Sequence, residues 1–188
     1  MRSSLFFLVW GAIGLLTLPF GATRAQAETD SDGIGAATSE SSDNVLPIRT
    51  LETEIIRMTN EQRHHFGLPT LVPHQPLYQA ARQHSQEMLR LNYFRHESPV
   101  PENSSPLLRV MHTGTHTELV AENIFTADGY PLREVGETCL ESWMESPGHR
   151  ANILSQKYNY AGVGIAIHSI GGEPRVMVTE VFCNTISH

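Results

Sequence analysis

Three short stretches of this chain carry side chains that can share protons or ligate a metal. His96 stands beside Glu97 in NYFRHESP, Glu122 sits in AENIF, and Glu145 and His149 lie in WMESPGHRANIL. Two neutral imidazoles that face one another can chelate a transition metal such as Zn²⁺, with nitrogens about 2.1 Å from the ion. A neighbouring carboxylate either completes such a site or holds one ring by accepting its N–H. With an open metal position, the same set would activate a bound water, with Glu122 as the base of a Zn-dependent hydrolase. The plainer alternative is that the rings tie loops together by hydrogen bonds. The tight zinc-protease signature H-E-x-x-H is absent from the sequence. No G-x-S-x-G elbow occurs either, which disfavours a serine nucleophile.

The other candidates read as structural. His84 lies on the apolar stripe of a helix and is expected to be a hydrogen-bonded core residue. His64, His65, His112 and His116 are expected to face solvent. Trp143 and the run Ala151 to Leu154 read as packing, and the donors of Arg150 and Asn152 suit loop carbonyls. Gly162 and Gly164 in AGVGI precede strand rather than a helix N-terminus, so they do not build a phosphate cradle. Their expected role is close backbone approach within the sheet.

These side chains need elements to position them. Ile48, Leu51, Ile55, Met58 and Phe66 recur at helical spacing before Gly67, which predicts a first helix over 48–66. The proline-broken stretch LPTLVPHQP is a loop. Pro76 opens a second helix, with Leu77, Ala80, Ala81, Met88 and Leu91 on its buried face. That helix ends near Asn92 and leaves His96 in the loop just beyond it. A short helix is predicted over 105–112, while 118–125 is too short to assign. Pro131 starts a helix with Leu132, Val135, Cys139 and Trp143 on one stripe, ending at Pro147, which can open a further helical turn over 147–154. The period then changes. AGVGIAIHS and RVMVTEVFCN, separated by a Gly-Gly turn, predict a C-terminal antiparallel β-hairpin. Helices first and paired strands last define an α+β class or a layered sandwich.

The chain opens with Arg2, an apolar run from Leu5 to Phe20 and Ala25-Gln26-Ala27, the pattern of a secretory signal peptide over 1–27. The apolar run is short for a membrane span. Removing the leader takes away Arg2 and Arg24 and moves the net charge from −7 to −9. Five of those acids, Glu28, Asp30, Asp32, Glu40 and Asp43, fall in a Ser/Thr-rich stretch, read as a flexible acidic linker over 28–45. About 140 residues remain, 46–188, enough for one domain. They are acidic and carry no basic stripe, which argues against nucleic acid. The expectation is an extracellular or periplasmic protein with no transmembrane segment in the mature chain. In an exported protein, Cys139 and Cys183 are expected to form a disulfide closing a loop of about 44 residues, worth on the order of 3–4 kcal/mol. The alternative is two buried thiols.

Taken together, NYFRHESP, AENIF, WMESPGHRANIL and AGVGIAI…VTEVFC resemble, in order and spacing, bacterial members of the CAP superfamily (cysteine-rich secretory proteins, antigen 5 and pathogenesis-related proteins). The likeness covers about residues 50–184. It implies a three-layer α/β/α sandwich of the SCP type and a cleft lined by two histidines and two acids. The histidines match His96 and His149, the candidate metal ligands, and one acid matches Glu122, with Ala121 where the family carries glycine. The second acid would fall on Ser146. Glu145 is one residue early, turned about 100° on a helix, which makes it the weakest member. The resemblance implies a secreted domain whose cleft binds a ligand, such as a lipid, a glycan or peptide, or an envelope component, and which can hold a divalent metal. The hydrolase and a non-catalytic interaction module stand as alternatives.

Overall fold

The computed structural model describes residues 42–170 and 173–184; the leader at 1–27, the linker as far as residue 41 and the Gly171-Gly172 turn lie outside the described residues. Helix α1 (Ser42–His65) opens ahead of Ile48, inside the stretch read as linker, and stops before Gly67, whose φ of 69° suits a residue without Cβ. Helix α2 (Gln75–Leu91) carries Pro76 in its first turn and ends on Asn92 at φ 52°, a left-handed cap that Asn tolerates. A 3-10 turn (Pro101–Asn103) and the short α3 (Pro106–Met111), capped by the Ser105 hydroxyl on the Leu108 N–H, follow. Then come β2 (Val120–Asp128), α4 (Leu132–Glu145), α5 (Pro147–Ile153), β3 (Tyr160–Ile170) and β4 (Glu173–Cys183). A two-residue strand, β1 (Val72–Pro73), lies within the stretch expected to be loop.

The predicted hairpin is present: β3 and β4 pair antiparallel from Tyr160↔Cys183 to Ile170↔Glu173. It forms the middle of a four-stranded sheet of order β1-β3-β4-β2, with β2 antiparallel on the outer side of β4 and β1 parallel to β3. The class is α+β, with helices on both faces of the sheet. Alternation along β4 separates the faces. Val176, Val178 and Phe182 join Ile55, Met58, Val135, Cys139, Trp143 and Ile153 from α1, α4 and α5. Val181 and Cys183 join Leu77, Ala80, Ala81 and Val110 from α2 and α3, and Met177 meets Met88 and Ile124.

That parity corrects the expected disulfide. Cys139 and Cys183 are both buried and are not bonded to each other. Cys139 packs in the α1/α4 layer, whereas Cys183 points through the opposite face of the sheet toward α2. Sequence spacing fixes the loop length but not the face, and side chains on opposite faces cannot bridge without backbone movement.

The glycines of AGVGI make room for a helix rather than for a neighbouring strand. A Cβ on Gly162 would overlap the backbone at Leu77 and Tyr78, and one on Gly164 the backbone at Ala81 and Arg82. Helix α2 therefore lies directly on β3. Past the short β1, the edge of β3 is plugged by the buried Glu52, which accepts from the Ile165 N–H (3.2 Å) and from Arg82 (2.5–3.0 Å). An edge closed by side chains leaves no template for another strand.

Candidate functional site

The site sits at the other edge of the sheet, around β2. Glu122 and Asn123 are buried in mid-strand and point to opposite faces. The stretch WMESPGHRANIL grips this strand along its outer rim. The Trp143 indole N–H donates to the Ile124 carbonyl (3.0 Å). The Asn152 amide donates to the Asn123 side chain (2.9 Å) and to the Glu122 carbonyl (3.4 Å), and Asn123 donates to the His149 carbonyl (3.2 Å). Trp143 is thus both packed and bonded, and Asn152 pins a carbonyl as expected. Arg150 does not; its guanidinium lies over the Phe66 ring, 5.2 Å from the centroid. Pro147 starts α5 and so places His149 in its first turn, beside the strand edge.

His96 arrives from the opposite layer, in the loop after α2. Its Nδ1 lies 3.0 Å from Glu122 Oε1, and its ring stands 6.4 Å from that of His149, centroid to centroid, at 62°. The structure therefore brings His96, Glu122 and His149 together. Glu145 stays exposed at the end of α4 and makes no hydrogen bond or ion pair among the described residues. Glu97 is also exposed, and His64, His65, His112 and His116 face solvent.

Glu122 is the hub. Its side chain is 1% exposed, and its second oxygen, Oε2, accepts from Arg109 Nη2 at 2.7 Å. The Arg109 guanidinium also donates to the carbonyls of His96 (3.0 Å) and Asn103 (2.7 Å). His84 Nε2 lies 3.6 Å from Glu122 Oε1 and donates to the Arg95 carbonyl at 3.1 Å. It is the satisfied core histidine that its position implied, and burial pulls its ring down to about 4. The loop bearing His96 is anchored further by Glu87, which accepts from Tyr93 (2.7 Å), Asn103 (2.9 Å) and Ser98. Burial alone would raise the Glu87 carboxyl, but those bonds outweigh it and hold it below the ordinary value.

The two cleft histidines are driven apart. The hydrogen bond to Glu122 raises His96, while burial and the His96 charge lower His149. The His149 Nδ1 is buried with no hydrogen-bond partner. A divalent metal does not fit this donor set as a complete site. Catalytic zinc takes three protein ligands, and no group of three or more His, Cys, Asp or Glu is placed to hold an ion among the described residues. The nitrogens of His84 and His96 converge on the carboxylate itself, and both carboxylate oxygens are engaged. Arg109 and Glu87 carry no signal in the sequence that marks them as part of the site.

Helices on both faces of a four-stranded, mostly antiparallel sheet define a class of fold, and the comparisons agree on it. The family model of the cysteine-rich secretory proteins (CAP) matches residues 56–183. The chain belongs to this family. It is 30% identical over 145 residues to the uncharacterized protein YkwD of Bacillus subtilis, covering 75% of this chain and 54% of that one. It is 33% identical over 116 residues to the uncharacterized membrane protein YlbC of the same organism, covering 62% and 32%. The chain therefore spans about half, or less, of the length of these relatives. A crystal structure of an extracellular protein containing a SCP domain from Bacillus anthracis superposes with a TM-score of 0.64 at 26% identity, covering 81% of this chain and 45% of that one.

Proposed function

We propose that the chain is an exported CAP-domain protein whose His96/His149 cleft binds a ligand without transforming it. The ligand class is a lipid, a glycan or peptide, or another component of the cell envelope. The engagement of Glu122 carries this reading. A general base must reach the proton it removes through an available oxygen. Glu122 Oε2 is occupied by Arg109, Oε1 faces His96, and the carboxylate is 1% exposed. It is built to hold a ring, which leaves the imidazoles as the groups that meet a ligand. Export is supported by the leader pattern at 1–27 and by the extracellular SCP-domain protein that this chain resembles. Among the described residues no helix is long and apolar enough to cross a membrane.

The test is to titrate the ¹⁵N-labelled protein with soluble peptidoglycan fragments, short-chain phospholipid micelles and oligosaccharides while following both rings by NMR. The reading expects one class to shift His96 and His149 together, and His149→Ala to abolish that response. Turnover of any probe that requires Zn²⁺ and disappears in Glu122→Gln would replace it with the hydrolase.

A further inference from the structure

The resting form of His96 is set from a distance. A neutral imidazole carries its proton on either nitrogen, and the partner of one nitrogen decides the tautomer. His96 Nδ1 faces an oxygen of a buried carboxylate at 3.0 Å. An ionised carboxylate only accepts, so Nδ1 must be the donor. The lone pair is then left on Nε2, the nitrogen turned away from Glu122. This is the reverse of the form that an unconstrained histidine prefers.

The arrangement needs a counter-charge. A carboxylate taken out of water is costly unless it is paired and hydrogen-bonded. Arg109, itself 1% exposed, supplies both the charge and the bond. The same guanidinium donates to the His96 carbonyl, so one side chain fixes this residue by its backbone and, through Glu122, by its ring. Its other nitrogen, Nη1, ties the Asn103 carbonyl, which closes the loop between His96 and α3. Lysine has the charge but not the planar fork that serves these acceptors together.

We propose that Arg109 is the positioning residue of the cleft, holding Glu122 as an acceptor so that His96 stands in its Nδ1–H form with Nε2 presented to a ligand. The functional meaning rests on the ligand-binding reading of the cleft, but the tautomer is independent of it. Arg109 touches no ligand atom in this scheme; it acts through Glu122.

Long-range ¹H–¹⁵N correlation spectra of the full chain distinguish the tautomers. They are recorded at about pH 9, well above the ordinary imidazole value of about 6.5. His84, bonded through Nε2 to the Arg95 carbonyl, is the internal reference for the opposite tautomer. The wild type is expected to show His96 as Nδ1–H and His84 as Nε2–H. Arg109→Met removes the counter-charge and is expected to lose the neutral Nδ1–H signature of His96 while His84 stays unchanged. Arg109→Lys, the charge-conserving variant, is expected to restore most of it. Should Arg109→Met not fold, Arg109→Gln takes its place, since it keeps a donor and drops the charge. A wild-type His96 in the Nε2–H form would overturn the proposal, as would a folded Met or Gln variant with the wild-type signature. Neither result depends on whether a ligand is ever found.

Discussion

Arg63, near the end of α1, reaches the carbonyl of Ile153 at 2.7 Å although ninety residues separate them. The same nitrogen holds the Ser155 carbonyl (2.7 Å), and Nε holds Pro69 (2.8 Å). The Ile153 and Ser155 carbonyls lie at the end of the helix whose first turn bears His149, and a cation there also complements the helix dipole. Arg63→Met is expected to cost about 3 kcal/mol, because buried acceptors lose a charged donor. Urea denaturation checks the magnitude, and hydrogen exchange should show faster opening over 149–155. A loss confined to a few tenths of a kcal/mol would mean that the clamp carries no load.

Glu180 gives the stability a pH slope. It is fully buried on the α1 face of β4, with Thr59 and Arg63 of α1 facing its carboxylate. Burial pushes its carboxyl up to about 8, against the opposing pull of Thr59 and Arg63. The folded state then binds a proton that the unfolded state has already released above its value of 4.5. Its contribution is fully present below that pH and is lost as pH rises through about 8. Glu180→Gln should flatten this slope and gain on the order of 2–4 kcal/mol over the wild type above the folded value. Denaturant midpoints measured at the two ends of the window test this, and parallel profiles for the two proteins would refute it.

The glycines under α2 allow a sharper test of packing. Gly164→Ala puts a methyl group into the backbone of Ala81 and Arg82, which no rotamer change can relieve. The expected cost is about 3 kcal/mol or more. Gly148→Ala is the control, since nothing lies within 4 Å of the added Cβ. Equal melting temperatures for the two variants would contradict the direct seating of α2 on β3.

The two cysteines are expected to remain thiols. Alkylation in denaturant without any reductant should add two labels to the full chain. In the native protein Cys139 should resist, because complete burial raises its thiol well above the ordinary range. Labelling that requires prior reduction would restore the bridge between Cys139 and Cys183.

Residue type marked His96, Glu122 and His149 as candidates, and the resemblance to the CAP superfamily, not local order, set them in one cleft. The hairpin was legible from its β-branched runs. Strand β2 was not, because Glu122 and Asn123 interrupt the alternation that marks a half-buried strand. Their burial becomes favourable only through partners on α3, α5 and the His96 loop, far away in sequence. Arg109 in SPLLRVMH is one basic residue on a short helix, and nothing local shows that it turns inward. The cysteines failed for a related reason. Their separation along the chain is visible, but the face each occupies depends on the register of β4.

The central claim is that His96 and His149 form one site organised by Glu122, and NMR titration of both rings in the wild type and in Glu122→Gln tests it most directly. His96 should titrate above the ordinary 6.5 and His149 below it. The His96 contribution to stability is then present below that value and is lost as pH rises through its folded midpoint, and His149 behaves in the opposite sense. In Glu122→Gln the His96 midpoint should fall, since its main support is that hydrogen bond. Two rings titrating together near 6.5, unmoved by the substitution, would contradict the account.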